Sequence, residues 1–501
     1  MDSKSEISFI TKSGTAIAGE KFAHTAGRII FPEGSNSEEL RIALHKTKVF
    51  DTTTEFRVEM LSDPPPTNCT AGRYLYMARV KVLDGKCFPS NKFAKQIHAG
   101  EAEKIKFWPL MWEYLKFNVQ SPVTKRGTIK WLLVYLVESF YLFVTLICDL
   151  ILVDGILKNA RLESDEARSR LIRIALIAFW PLAIEHFLEF RKVTWKVGGS
   201  SRAKLQSFVM RKFMNYAQAT RIKITSADLL MAVTRDVWDV VHEGYIKALS
   251  LIGAHMDLAA ALLFQVVAPF LPFMDVEVQW RPDGFVFLGI IPLILFSFLF
   301  MRDERTARYI GKEKADEVEL LGQAERIITN YHLIADYGQR PFFETRFQQR
   351  ITAFNLSRIA ANQVRVNNRY FAPWVIKLCV FVYTIYGGLL VVQDDGSLSL
   401  GLFLANLKIL RTIGSSLTTI YSVLMDIEAI HPALLRVVTL INLPTDLKVR
   451  KSLNRSRREK TADLRNEARK TVQSGWPADN LPIEMTNLNF RYDVTRGQVL
   501  A

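Results

Sequence analysis

Residues 284–301 read GFVFLGIIPLILFSFLFM, 18 in a row without a charge. A helix needs about 20 mostly apolar residues to cross the ~30 Å hydrocarbon core of a bilayer, where every backbone N–H and C=O must find its partner inside the chain. That run fixes the solvent this region folds in, and others follow the same pattern. Residues 258–274 are 17 without a charge; 131–153 are apolar except for Glu138 and Asp149. Residues 171–190 carry Arg173, Glu185 and Glu189 toward their ends, and 370–393 contain Lys377. Residues 398–425 are interrupted by Lys408 and Arg411. The pattern predicts six spanning helices, of which the second and sixth also read as buried helices of a large soluble protein.

Charge in the connections orients these runs. Residues 191–247 hold 11 Lys/Arg against 4 Asp/Glu, and 302–369 hold 12 Lys/Arg. The short connections are acidic, with Asp275, Glu277 and Asp283 around Arg281 in one and Asp394-Asp395-Gly396 in the other. Lys/Arg excess marks the cytoplasmic face. The alternation predicts a multi-pass integral membrane protein with both termini and both long segments in the cytoplasm. It also accounts for 65 Lys+Arg against 50 Asp+Glu, a net charge of +15, with membrane lipid as partner and no nucleic acid. Apolar residues recur at helical spacing in the second long segment: Leu320, Leu321, Ile327, Ile328, Tyr331, Ile334, Tyr337. Each long segment is expected to be a membrane helix that continues into the cytoplasm and returns, reaching about 45–50 Å at ~1.5 Å per residue. Ahead of the first span, residues 107–122 gather Trp108, Trp112 and Tyr114 with Lys116, a pattern for a helix at the membrane interface.

Ionisable residues inside spans are costly and tend to face a cavity or a partner. Glu138 and Asp149 lie 11 residues apart, about three turns, on one helix face. Lys408 and Arg411 share a face at i,i+3, and Asp257 follows His255 early in the third span. Glu138, Asp149, Asp257, Lys408 and Arg411 are the candidate substrate pathway. The alternative is ion pairs between helices or snorkelling at helix ends, the expected role of His255, Glu185 and Lys377. No catalytic pair or triad emerges. Cys69, Cys87, Cys148 and Cys379 show no CxxC spacing, so neither a zinc ribbon nor a disulfide framework is expected.

Several stretches resemble the transmembrane domain of six-helix ABC exporters. Ser226-Ala227-Asp228-Leu229 with Thr234-Arg235-Asp236-Val237 resembles "s-G-e-L … r-l-t-n-D-v", with Ala227 in place of Gly. Residues 325–330, Asp336-Tyr337-Gly338 and 342–347 resemble "E-x-l-x-g-i-x-x-i-k-a-f-g-x-E-x-x-e-x-x-F". Gly396-Ser397-Leu398-Ser399-Leu400-Gly401 resembles "G-x-l-t-l-G", and residues 434–444 resemble "a-x-R-i-x-x-l-l-x-x-P". Residues 483–492, IEMTNLNFRY, resemble the first strand of the nucleotide-binding domain, which would make Tyr492 the aromatic that stacks on adenine. No GxxxxGK[ST] occurs, so the chain's own enzymatic status stays open. The resemblance implies coupling elements near 216–228 and 337–347, and a second half-transporter, identical or related, completing a dimer. It implies ATP and Mg only through a nucleotide-binding domain missing from this chain, either cut short or supplied by another chain.

Residues 14–34, GTAIAGEKFAHTAGRIIFPEG, resemble the Calx-β repeat "G-T-A-x-A-G-x-D-Y-x-x-x-x-G-x-l-x-F-x-x-G". The implied fold is an immunoglobulin-like β-sandwich, with further strands at 40–44, 55–60 and 74–82 and an opening strand incomplete. Such repeats often bind calcium through clustered carboxylates. Here Lys21 replaces an Asp, Lys46-Thr47-Lys48 replaces an acidic run, and Glu20, Asp51, Glu55 and Asp84 remain. Lysines in place of carboxylates disfavour a divalent cation, so calcium is not expected.

The expected chain is multidomain: a Calx-β-like sandwich (1–88), a linker with the interfacial helix (89–122), an all-α six-helix transmembrane domain with long cytoplasmic hairpins (123–445), a basic linker (446–480) and the start of a nucleotide-binding domain (481–501). The expected function is the membrane subunit of an ATP-driven exporter. The competing readings are a Calx-β-regulated ion exchanger or channel and a non-transporting scaffold.

Overall fold

The computed structural model describes residues 4–33, 35, 38–47, 49–72, 75–157, 164–267, 283–393, 398–471 and 485. Four strands come first: β1 (Ser5–Ser13), β2 (Ala26–Phe31), β3 (Thr54–Leu61) and β4 (Met77–Val82). The first helices are α1 (Ala94–His98), α2 (Phe107–Val119), α3 (Pro122–Leu150), α4 (Ser164–Thr194) and α5 (Val197–Phe213). Next come α6 (Gln218–Lys223), α7 (Ser226–Met231), α8 (Val237–Asp239), α9 (Lys247–Val267) and α10 (Asp283–Thr329). The last are α11 (Tyr331–Asp336), α12 (Arg340–Val392), α13 (Leu400–Ala429), α14 (His431–Asn442) and α15 (Leu447–Thr471). The chain forms two compact units. One holds Met1–Lys125, Val197–Tyr245 and Ala429–Ala501; the other holds Arg126–Lys196 and Ile246–Glu428.

In the first unit the strands form one antiparallel sheet in the order β2-β1-β3-β4. The Gly14–Gly19 motif has a physical reason at each position. A Cβ on Gly14 would lie 2.7 Å from the Glu55 carbonyl oxygen. Thr15 Oγ1 accepts from Glu55 N at 2.8 Å, and Ala16 N donates to Glu55 O at 2.9 Å. Ala16 is fully buried with Phe22 and Phe56, whose rings stack at 4.1 Å. Gly19 turns the chain at φ +84° so that its N–H reaches Phe22 O. Gly14→Ala must push β3 away and is expected to destabilise the sheet by about 2 kcal/mol. Amide exchange in β1 and β3 of the full chain would read that loss; unchanged protection would contradict it.

The expected strand at 40–44 shrinks to a single bridge between Leu44 and Phe22. Ala23 N donates to Ala43 O and His45 N to Lys21 O, so the segment is pinned to the 21–23 turn and no ladder extends beyond it. Among the described residues there is therefore one sheet, and the second layer of the expected sandwich is not formed.

Helices α2, α5 and α14 build the rest of this unit. The expected interfacial helix is α2, and it is two-faced. Phe107, Leu110, Met111, Tyr114 and Phe117 are buried, whereas Trp108 and Trp112 are exposed one turn apart. Asn118 and Ser201 bond each other, and the Tyr114 hydroxyl lies 3.5 Å from Ser201 Oγ. Burial pushes the Tyr114 phenol up to about 12, so it serves as a neutral partner. Two π-helical turns, Ala232–Asp236 and Val240–Ile246, flank α8. A Cβ on Gly244 would lie 2.7 Å from Ile430 Cδ1, so the wide turn allows close packing.

In the second unit α3 and α4 run antiparallel: the Tyr141 hydroxyl donates to Ala178 O while Glu138 pairs with Lys192. Helices α10 and α12 form a second antiparallel pair, stitched by Glu319–Arg350, Glu313–Arg365, Thr306–Asn368 and the stacked Phe298–Phe371 rings. They are 47 and 53 residues long, roughly 70 and 80 Å at ~1.5 Å per residue.

Helix α13 is the centre of this unit. Ala405, Ile409 and Ile413 pack with Leu146, Leu150, Ala261 and Phe264 of α3 and α9. Leu407 and Leu410 pack with Ile291, Ala372, Val375, Ile376 and Tyr383 of α10 and α12.

Among the described residues four helices are long and apolar enough to cross a membrane: Pro122–Leu157, Asp165–Phe213, Asp228–Val267 and Arg340–Val392. Six spans are expected from the sequence, and four of that length and apolarity lie among the described residues. The sixth expected span is α13, long but lined with buried groups and interrupted by Lys408 and Arg411. The fourth gives only the shorter apolar stretch Gly289–Arg302. The second expected span lies in α4, whose apolar window has none of its residues buried inside the structure. Part of the third span and both acidic connections fall outside the described residues.

Candidate functional site

The polar groups of the second unit gather around residues 399–408 of α13. At the helix start, Ser399 Oγ accepts from Leu402 N as an N-cap and donates to Asp154 Oδ2 at 2.6 Å. Asp154 Oδ1 accepts from Gly401 N at 2.9 Å, placing a carboxylate on a helix N-terminus. A Cβ on Gly401 would strike that carboxylate, which explains the glycine of the GSLSLG stretch. One turn on, Asn406 accepts from Gln265 Nε2 of α9 and donates to the Tyr383 hydroxyl of α12, both at 2.8 Å. Lys408 Nζ then meets Asp149 Oδ2 of α3 at 2.6 Å.

The five sequence candidates separate here. Asp149 and Lys408 come together, and their side chains stay 44% and 41% exposed among apolar helices. Glu138 does not join them. It bonds Lys192 of α4 at 2.9 Å, and Lys192, only 6% exposed, also bonds Glu189 and sits over the Tyr135 ring at 4.3 Å. Lys192 thus ties Glu138 and Glu189 into an ion-pair triad between α3 and α4. Asp257 accepts from Ser139 Oγ at 2.6 Å, a hydrogen bond between α9 and α3. Arg411 is exposed and stands outside the cluster. Tyr492 lies outside the described residues. Sequence reasoning missed Lys192, Asp154, Asn406 and Gln265. Only Lys192 carried a local signal, its i,i+3 spacing from Glu189.

The first unit offers two further clusters. Cys87 Sγ lies 3.4 Å from His98 Nε2, a thiol–imidazole pair. Burial pushes the Cys87 thiol up, which keeps it protonated and unreactive. The end-loop carboxylates Asp51 and Asp84 are the groups that could hold calcium. Asp51 Oδ1 accepts from Thr52 N at 2.8 Å and Asp51 Oδ2 from Lys21 Nζ at 2.7 Å. Asp84 Oδ1 accepts from Lys86 N and Asp84 Oδ2 from Asp51 N, both at 3.0 Å. All four oxygens already serve protein donors. Calcium needs six to eight oxygen ligands with a surplus of negative charge. These residues, two carboxylates balanced by two ammoniums, do not fit it.

The Calx-beta domain family matches residues 1–85. A solved structure, the crystal structure of calcium binding domain CBD12 of CALX1.1, is 25% identical over 17% of this chain, with a TM-score of 0.16. The match spans 34% of that chain's length. No curated protein matches the sequence. Residues 1–85 are a Calx-beta domain, and a mostly helical region with several long apolar helices follows it.

Proposed function

We propose that this chain is the membrane-spanning subunit of an ATP-driven exporter of the ABC type, working as a dimer with an identical or related chain. The observation that carries this reading is the α10–α12 hairpin. Its helices are more than twice as long as a ~30 Å hydrocarbon core requires, so their polar ends stand clear of the bilayer. The tip is closed by the short α11 and exposes Ile328, Tyr331, Leu333, Tyr337 and Phe342. An apolar tip on a stiff lever suits a contact that receives force, and the coupling element expected near 337–347 would fall there. The Asp149–Lys408 pair, half-exposed among apolar helices, is the best candidate for lining the substrate path.

In this reading the described ends of the chain are cytoplasmic, ATP and Mg act through a nucleotide-binding domain outside the described residues, and calcium takes no part. The test is to isolate the chain from native membranes together with its nucleotide-binding domain, carried on the same polypeptide or on a partner, and assay that complex for ATPase activity. ATPase activity is expected in the isolate, falling about tenfold when Tyr337→Asp and Phe342→Asp place charges on the tip. Sodium or calcium flux without ATP would replace this reading with an exchanger. No ATPase and no flux would leave a scaffold.

A further inference from the structure

The Calx-beta domain ends in a face where two protein cations occupy the oxygen ligands of the loops. Lys86 Nζ donates to the carbonyls of Thr47 and Val49 and lies 3.5 Å from Asp84 Oδ2. One carboxylate and two carbonyls around one cation is the oxygen set a hard ion selects. Lys21 Nζ neutralises Asp51 beside it at 2.7 Å, and both side chains are largely buried, at 16% and 21% exposure. The 47–52 and 83–88 segments are thereby tied together, because Asp51 N donates to Asp84.

These organised loops do not end in solvent. They present Phe50 and Phe88, which are 4% and 0% exposed. Phe50 packs edge-on against Phe88 and against Phe208 of α5, at 5.4 and 5.5 Å. Phe88 packs against Phe117 of α2 at 5.1 Å. On α5, Lys204, Phe208 and Lys212 stand at i, i+4 and i+8, one face of the helix. Lys204 Nζ lies over Phe117 at 4.3 Å, and Lys212 Nζ over Phe50 at 6.0 Å. Their cations bracket the aromatic contact. Asn442 of α14 completes the grip. Its side-chain amide donates to Phe88 O at 2.7 Å and accepts from Phe88 N at 2.8 Å, as a neighbouring strand would.

We propose that the Lys21 and Lys86 ammoniums are the resident cations of these loops, and that the loops they organise form a metal-independent clamp on the Lys204/Phe208/Lys212 face of α5. The domain then holds the helical part of its own unit at all calcium concentrations. The charge balance supports this: two carboxylates met by two ammoniums leave no net negative field to recruit a dication. The proposal does not depend on the exporter reading.

Hydrogen exchange on the full chain in nanodiscs tests it. In the wild type, about 1 mM calcium chloride is expected to leave protection unchanged in segments 47–52, 83–88 and 204–212. A calcium-induced gain of about tenfold in the loops would overturn the proposal without any substitution. Lys21→Gln with Lys86→Gln is expected to cost about tenfold in protection in both loops and in 204–212 together, with β1 and β3 unchanged. Loops that stay protected, or that open without 204–212, would overturn the clamp. Collapse of β1 and β3 along with them would also overturn it, since the lysines would then be holding the whole sheet.

Discussion

Replacing Arg436 by alanine is expected to cost about 3 kcal/mol or more, enough to reduce the folded protein recovered from membranes several-fold. Asp236 is fully buried in a π-helical turn, and Arg436 Nε of α14 lies 2.9 Å from its Oδ2. Removing the guanidinium leaves a carboxylate in an apolar setting with its counter-charge gone. The loss arises mainly from the orphaned charge and less from the bond itself, so the double variant Asp236→Leu, Arg436→Leu should recover most of the stability. Chemical unfolding followed by amide exchange in α14 reads both. A single variant as stable as the wild type, or a double variant no better than the single, would contradict this account.

The second large effect separates two lysines that look alike in sequence. Lys192→Met is expected to lower accumulation, because it removes the buried cation, itself 6% exposed, that Glu138 at 23% exposure pairs with, a loss of about 1–3 kcal/mol. Lys408→Met is expected to accumulate normally, since Asp149 stays half-exposed, but to lower substrate-stimulated ATPase at least about tenfold if that pair lines the path. Exchanging the residues, Asp149→Lys with Lys408→Asp, keeps the pair and should likewise accumulate normally. Equal accumulation of the Lys192 and Lys408 variants would remove the distinction between a structural triad and an accessible pair.

Some of this was legible in the chain. The Gly14–Gly19 motif could be read because each residue answers a local demand: a close approach, a hydroxyl, a small buried side chain, a left-handed turn. The apolar runs and the heptad-like spacing before the hairpin tip marked long helices for the same reason. What stayed hidden depends on partners distant in sequence. Glu138 and Lys192 are 54 residues apart, and Asp149 and Lys408 are 259 apart. Lys408 and Arg411 made α13 look like a flawed span, whereas Lys408 is one partner of a polar cluster built from three other helices. Lys21 looked like repulsion toward a dication, yet it is itself the cation beside Asp51, and Lys86, which the sequence did not single out, takes the same place beside Asp84.

The Asn442–Phe88 clip joins residues 354 apart in the chain. The first unit is assembled from three separate stretches, and the last of them starts at Ala429. At roughly 5–20 residues per second, a ribosome needs about 20–70 s to travel from Phe88 to Asn442. For that interval the Phe88 backbone lacks its Asn442 partner, although Phe117 and Phe208, which pack on Phe88 and Phe50, emerge earlier. A nascent chain of this design closes its first unit last, and premature release inside that window would deliver a sheet packed on α2 and α5 but without the α14 clip.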